Sequence, residues 1–497
     1  MMYFLGIDVG TGGTRALIMD ESGRVMSSAA EEHTPFASPQ IGWAEQDPAD
    51  WWRACGVAVS DALRRGSVRA ERIACVGFSG QMHGAVLLDE QGQVVRPALI
   101  WCDVRTEQQA QELTSQIGAE RLRQLTCNPA LTNFMLTKCL WVRENEPENW
   151  SRVRSLMLPK DYVRFRLTGE RATDLADASG TLLLDVANRR WSQPILDLVQ
   201  MDRALLPALY ESPEICAQIS KAGAAATGLI AGTPVVAGAG DQAAGAIGMG
   251  IDSPGAVSAT IGTSGVVLAA TNLPALDPEG RVHTFCHAMA NRWIVMGVTQ
   301  AAGFSLRWFR DQFGTVDGHR DSYEDLTAQA AKIPAGADGL LWAPYLMGER
   351  TPHLDASARG MLVGLTASHT RAHVVRAILE GVAFSLRDTL TIFEQIAVPV
   401  KTIRLGGGGA RSLLWRQIQA DVYGHEVETV AVEEGAAYGA AILAGVGAKA
   451  WSTVDAACAA VVHIASATAP NAQDSWVMNR AYSSYRRIYP AMKDILN

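Results

Sequence analysis

Apolar residues along the chain fall into short, β-branched runs that stop at glycine-rich polar turns, and those turns hold its most distinctive side chains. Tyr3 to Ile7 is one such run. It ends in Asp8-Val9-Gly10-Thr11-Gly12-Gly13-Thr14-Arg15, and a second run follows from Ala16 to Met19. Two strands closed by a Gly/Thr turn predict a hairpin. The plan returns in the second half as Ala256 to Thr260, then Ile261-Gly262-Thr263-Ser264-Gly265, then Val266 to Ala269. Recurrence of one hairpin predicts a duplicated domain. Just ahead of it, Thr233 to Gly250 breaks from Val235-Val236 into Gly238 and Gly240, presents Asp241, and continues as a small-residue helix. Asp47-Pro48 opens a helix with Trp51, Trp52, Cys55 and Val59 at helical spacing, whose tryptophans are assigned to the core. Arg72 to Phe78 reads as a strand running into Ser79-Gly80-Gln81-Met82-His83-Gly84. Ile403 to Leu405 reads as a strand running into Gly406-Gly407-Gly408-Gly409-Ala410-Arg411-Ser412 and a helix with Leu414, Ile418 and Val422. Glu433 to Ala441 is a small-residue helix like the one after Asp241 and is expected to pack tightly, and beyond about residue 446 the pattern is Ala-rich and helical.

Composition narrows the class. A chain of 497 residues, 48% hydrophobic and 19% charged, is that of an ordinary globular protein with two or more domains. The net charge of -8 argues against nucleic acid or an anionic membrane as partner. Eight cysteines form neither a C-x-x-C pair nor a Cys/His cluster, which excludes a zinc site and a disulfide framework as first expectations. The start of the chain lacks the pattern of a signal peptide and no long apolar stretch occurs, so a cytoplasmic location is expected.

The turns supply the candidate chemistry. Backbone donors and hydroxyls of the two Gly/Thr turns can wrap phosphate oxygens, and a pair of them suggests two halves clamping one nucleotide. Asp8, at a strand end beside the first turn, suits Mg²⁺ held mostly through water. Asp241 is either a general base in a cleft between the halves or only the N-cap of its helix. A glycine-bracketed Gln-Met-His can reach a small polyol through His83, or be a surface turn. Trp101 and Asp103 follow an apolar run; Asp103 and Arg105 share a strand face if the strand continues, and either bond substrate hydroxyls or pair with each other. Leu158-Pro159-Lys160-Asp161-Tyr162 begins a helix and Asp177-Ala178-Ser179-Gly180-Thr181 is a polar turn, both read as structural. No Walker A loop occurs, and Arg411 breaks the dinucleotide G-x-G-x-x-G pattern, so a nucleotide must be held on another scaffold.

Together these motifs resemble the FGGY carbohydrate kinases, whose fold is α/β: two actin/Hsp70-like (ribonuclease H-like) ATPase domains with a cleft between them. The similarity runs end to end through D-V-G-T, G-Q-M-H-G, L-P-K-D-Y, D-A-S-G-T, G-A-G-D-Q-A-A-G-A, I-G-T-S-G, P-Y-L-x-G-E-R-T-P-H and G-G-G-A-R-S. The resemblance implies a sugar-binding domain over 1–245 and a nucleotide-binding domain over 246–497. It implies Asp241 as catalytic base, Asp8 as a carboxylate near the metal, and Met82 and His83 as the sugar pair, with Trp101, Asp103 and Gln242 beside them. Thr11, Gly12, Gly262 and Thr263 fall in the phosphate hairpins, and Gly408, Gly409 and Ser412 near adenosine. The implied activity is ATP- and Mg²⁺-dependent phosphorylation of D-xylulose, with other pentuloses or pentitols (ribulose, xylitol, arabinitol) as alternative acceptors and a homodimer as a candidate assembly. An actin/Hsp70-type nucleotide switch is a more distant reading, and a DNA-binding regulator the most distant. Gln242 and Cys102 depart from the residues familiar next to the sugar, and Met135 and Cys139 depart from the family's signature around Lys138.

Overall fold

The computed structural model describes residues 2–316 and 319–496. Its architecture follows from the two hairpins. β1 (Tyr3–Val9), β2 (Gly13–Asp20) and β3 (Val25–Glu32) form an antiparallel meander, and β4 (Ile73–Gly80) lies parallel to β1. β5 (Ile215–Gln218) and β6 (Pro234–Val236) complete the order β5-β6-β4-β1-β2-β3, with the short β7 (Ala239–Gly240) also beside β4. The second sheet repeats the plan. β8 (Gly255–Ile261) and β9 (Gly265–Thr271) are the second hairpin. β10 (His283–Cys286), β11 (Trp293–Thr299), β12 (Val400–Gly407), β13 (Val427–Val430) and β14 (Ile464–Thr468) extend it in the order β10-β11-β9-β8-β12-β13-β14. In each copy the hairpin's first strand pairs antiparallel with its second and parallel with a later strand. The duplication expected from the turns is therefore a duplication of topology.

Helices form where the signals placed them. α1 (Pro48–Gly66) starts at Asp47, whose carboxylate accepts the Ala49 amide, and it buries Trp51, Cys55 and Val59 while Trp52 is only half-buried. α2 (Met135–Asn145) and α3 (Pro159–Thr168) belong to the long insertion between β4 and β5, and α4 (Asp241–Gly248) follows β7 directly. The cut at 245 falls inside α4. In the second half, α5 (Arg371–Gln395) backs the sheet, α6 (Leu413–Tyr423) follows the glycine cluster, and α7 (Gly435–Gly447) is the small-residue helix.

α7 crosses to the first sheet. A Cβ at Gly6 would lie 2.0 Å from the Ala437 carbonyl oxygen, and one at Gly77 would lie 2.1 Å from that of Ala440. On its other side a Cβ at Gly439 would lie 1.8 Å from the Ala244 oxygen of α4. Backbone meets backbone at each contact, which only residues without side chains permit. The tail differs from the Ala-rich helical expectation. Ile464–Thr468 adds a strand to the second sheet, and Met478, Tyr482 and Tyr485 of the following helix enter the second core.

Candidate active site

Three parallel strand ends bring two carboxylates together. Asp8 stands opposite Ser79 in the β1–β4 register, and Ala239 and Gly240 stand opposite Ser79 and Gly80 in the β7–β4 register. The chain then turns into α4, so Asp241 emerges one strand away from Asp8. Ser79 donates its hydroxyl to Asp8 Oδ1 at 2.9 Å. Burial raises the Asp8 pKa, and burial together with the Asp8 charge pushes Asp241 up to about 7. Gly240 occupies the N-cap of α4 and Asp241 is its first residue. Among the described residues its carboxylate takes one side-chain hydrogen bond, from Gln242 Nε2 at 3.3 Å, and it also takes one from the Gln242 main chain. The helix N-terminus was the reason to expect a depressed pKa. Burial beside a second carboxylate outweighs it.

Asp241 and Gln242 line a cavity of about 480 Å³ that they share with Ser258 and Thr260 of β8, Gly406 and Gly407 of β12, and Glu433. A second cavity of about 400 Å³ is lined by Gly262, Thr263, Phe304, Gly408, Gly409 and Ser412. The glycine cluster thus separates two neighbouring spaces. Ser412 Oγ caps α6 by accepting the Trp415 amide at 3.3 Å. Thr11 and Gly12 line neither cavity. Thr11 Oγ1 accepts the Trp101 indole N–H at 2.9 Å and donates to Gln81 Oε1 at 3.2 Å, while His33 donates its amide to the Gly12 carbonyl. Gln81 and Trp101 therefore brace the first turn.

Met82 lies against the strand that delivers Asp241, and His83 follows it in the same turn. A Cβ at Gly240 would be 2.8 Å from Met82 Cγ. His83 takes a left-handed backbone conformation (φ 68°), and its Nδ1 lies 2.8 Å from the Gly180 carbonyl oxygen. A carbonyl can only accept, so Nδ1 carries the proton and Nε2 is left as an acceptor. Burial lowers the pKa of His83 to about 3, which keeps the ring neutral. Phe134 packs edge-on at 4.9 Å between ring centroids, and Phe285 of the second sheet lies at 6.0 Å. His283, also from the second sheet, stacks on Phe285, and its Nδ1 meets Asn128 Oδ1 at 3.2 Å.

Asp103 corrects an expectation. The strand ends at Leu99, a turn follows, and the fully buried carboxylate accepts the Ala44 amide at 2.6 Å and four bonds from Arg105. Both of its oxygens are engaged by the protein's own donors, so Asp103 and Arg105 pair with each other. Trp101 is half-exposed.

Several residues at the site were given no role from the sequence. Lys138 is buried among main-chain carbonyls next to His83. Arg350 makes no side-chain hydrogen bond or ion pair among the described residues, and its charge adds to burial in lowering the pKa of both His83 and His283. Its neighbour Glu349 accepts Thr299 Oγ1 at 2.5 Å and the Gln300 amide at 2.9 Å, which fixes the segment to the end of β11. Beneath β7, Lys160 bridges Asp161 at 2.5 Å, Asp174 at 2.6 Å and Asp177 at 3.4 Å, and Arg164 reaches the Ala237 carbonyl. This fully buried cluster anchors the strand that carries Asp241, in line with a structural reading of both motifs.

Asp8 and Asp241 form a concentration of negative charge that a divalent cation would offset. Among the described residues no group of three or more His, Cys, Asp or Glu is placed to hold a metal. That donor set fits a cation bound mainly through water and phosphate oxygens. No helix among the described residues is long and apolar enough to cross a membrane.

The comparisons agree along the whole chain. Residues 3–248 match the N-terminal domain of the FGGY family of carbohydrate kinases and residues 257–448 match its C-terminal domain. The chain is 39% identical over 495 residues to the xylulose kinase of Bacillus subtilis (strain 168), covering 100% of this chain and 98% of that one. It is 38% identical over 497 residues to the xylulose kinase of Lactococcus lactis subsp. lactis (strain IL1403), again covering 100% and 98%. A gluconokinase of Bacillus subtilis (strain 168) is 32% identical over 89% of this chain and 86% of its own. Among solved structures, a xyloylose kinase from Brucella ovis superposes with a TM-score of 0.92 at 35% identity over 99% of this chain and 100% of that one. With paired carboxylates on a duplicated sheet and both family domains matched in order, the chain belongs to the FGGY family of carbohydrate kinases.

Proposed function

We propose that this kinase phosphorylates D-xylulose to D-xylulose 5-phosphate, with Asp241 as general base. The observation that carries the reading is the pairing of Asp241, at the end of the strand against which Met82 packs, with the neutral His83 acceptor that follows Met82. The relatives named xylulose kinase supply the acceptor. His83 Nε2 accepts a hydroxyl proton of the sugar, Met82 packs on its carbon frame, and Gln242 steadies the base. The terminal hydroxyl faces Asp241, which takes its proton as the oxygen attacks the γ-phosphoryl group. A placed base of this kind contributes about 10²- to 10⁴-fold. Most of the remaining acceleration comes from orientation and neutralised charge.

The cavity at Gly262, Thr263, Gly408, Gly409 and Ser412 holds the nucleotide, and closure of the two halves brings Thr11 and Gly12, which do not line it here, to the phosphates. Asp8 is the residue that would hold Mg²⁺ through water. Bound there, the cation would supply neutralising charge for the phosphoryl oxygens. Closure of the two halves excludes water and protects ATP from hydrolysis.

A panel of D-xylulose, D-ribulose, xylitol, D-arabinitol and D-gluconate, assayed for ADP release at saturating ATP, tests the acceptor. The expected result is the highest kcat/KM on D-xylulose; a higher value on any other compound replaces it as substrate. A second acceptor class has specific support in Cys102, which departs from the residue familiar next to the sugar, and in the similarity to a gluconokinase. The role of Asp241 is tested separately. An Asp241→Ala enzyme retaining activity within about tenfold of the parent would remove the base assignment.

A further inference from the structure

Lys138 is a buried amine, its pKa lowered by burial to about 7, that the reaction does not consume. It sits in the first turn of α2, fully buried, and among the described residues no carboxylate lies within ion-pair distance of its ammonium. The positive end of the helix dipole makes that an unfavourable place for a cation. The charged groups nearest to it already satisfy one another, because Asp103 and Arg105 are joined at 2.7 Å. The thiols of Cys102 and Cys139, pushed up by burial to about 11 and about 12, carry no charge to offer it.

The ammonium has three protons and meets three main-chain carbonyls. It donates to His83 at 3.3 Å, to Phe134 at 3.5 Å and to Asn133. Asn133 and Phe134 immediately precede its own helix, but His83 belongs to the turn after β4, so the lysine ties two distant segments together. Both of its more specific partners shape the sugar pocket. Phe134 is the ring packed edge-on against the His83 imidazole. His83 is held in the left-handed region that a residue with a side chain rarely adopts. Its ring is fixed at one end by the Gly180 carbonyl, and its backbone at the other end by Lys138. Removing the second hold lets the peptide relax and swings Nε2 away from the substrate.

We propose that Lys138 is a positioning residue for the sugar, clamping the carbonyls of His83 and Phe134 so that the His83 Nε2 acceptor faces the pocket. This rests on the reading of His83 as a sugar contact. Lys138 touches no substrate on this account; it acts through His83.

A double-mutant cycle of Lys138→Met and His83→Ala in the full-length kinase separates the possibilities, with KM for D-xylulose and KM for ATP measured for each protein. His83→Ala is expected to raise the sugar KM by about tenfold, the value of one hydrogen bond to a neutral group. Lys138→Met is expected to raise it by a similar factor and to leave the ATP KM within about twofold of the parent. The double variant is expected to be no worse than His83→Ala alone. An additive, roughly hundredfold rise in the double variant, or equal rises in both KM values, would overturn the clamp and leave Lys138 a general structural residue. An unchanged sugar KM in His83→Ala would instead dispose of the sugar-contact reading, and the clamp with it. Should Lys138→Met fail to fold, Lys138→Arg completes the same cycle, because its longer planar head cannot reproduce three convergent bonds.

Discussion

Asp241 shows how much a single carboxyl depends on what surrounds it. Its pKa, raised from 3.8 to about 7 by burial and by Asp8, has two measurable consequences. The base works only when ionised, so kcat/KM for the sugar should rise with pH and reach half its plateau near 7, which a pH–rate profile reads directly. Stability should run the other way. A carboxyl that binds its proton more tightly folded than unfolded stabilises the protein fully below the unfolded pKa, and that stability is lost as pH rises through the folded one. Asp241→Asn should therefore unfold at a higher temperature than the parent at pH 8, by about 4 kcal/mol in stability, and show no such gain at pH 4. Equal melting temperatures at pH 8 would mean that the carboxylate is not under strain. The acid itself was legible as a lone carboxylate between a glycine pair and a small-residue helix. Its ionisation was not, because the helix dipole is local and visible while Asp8 is 233 positions away and arrives only through strand register. For Asp103 the pairing with Arg105 was among the readings of the spacing, but the shared strand face was not to be had, because the chain had already turned after Leu99. Lys138 and Arg350 carried no local signal for a role, since what distinguishes them is the partners they have or lack.

Among the elements, α7 makes the strictest demand on sequence. It lies between the first sheet and α4 with main chain against main chain on both sides. Gly6→Ala would set a methyl 2.0 Å from the Ala437 oxygen, so it should cost at least about 3 kcal/mol and lower the yield of folded protein. Gly245→Ala in α4, where a Cβ meets nothing within 4 Å, should fold normally and gain slightly in helix propensity. Comparable melting temperatures for the two variants would show that the close contact can relax. The small-residue pattern of both helices was readable, and so was the expectation of tight packing. That they pack on each other, and one of them on the opposite sheet, was not, because neither pattern encodes a partner. β14 escaped notice because Ile464-Ala-Ser-Ala-Thr468 has little bulk and half-exposed positions; its strand character comes from pairing with β13.

At the scale of the molecule, the repeated hairpins were the strongest clue, because a topology that recurs leaves its turns behind in the sequence. The two halves nonetheless complete each other. Phe285 and His283 of the second sheet wall the pocket around His83, and Asn128 donates its side-chain amide to the Thr284 carbonyl at 2.8 Å. A fragment of residues 2–248 should consequently fail to give a stable monomer, and circular dichroism should show it losing cooperative unfolding; a sharp transition in the isolated fragment would mean that the first sheet is self-sufficient. The position of α7 also bears on synthesis. The first sheet leaves the ribosome early, but the helix that roofs it ends at Gly447, so hundreds of residues must be translated while that apolar surface waits for its cover. A nascent chain stalled anywhere in between would be a substrate for chaperones, and the speed of elongation would help decide how much of it survives to become enzyme.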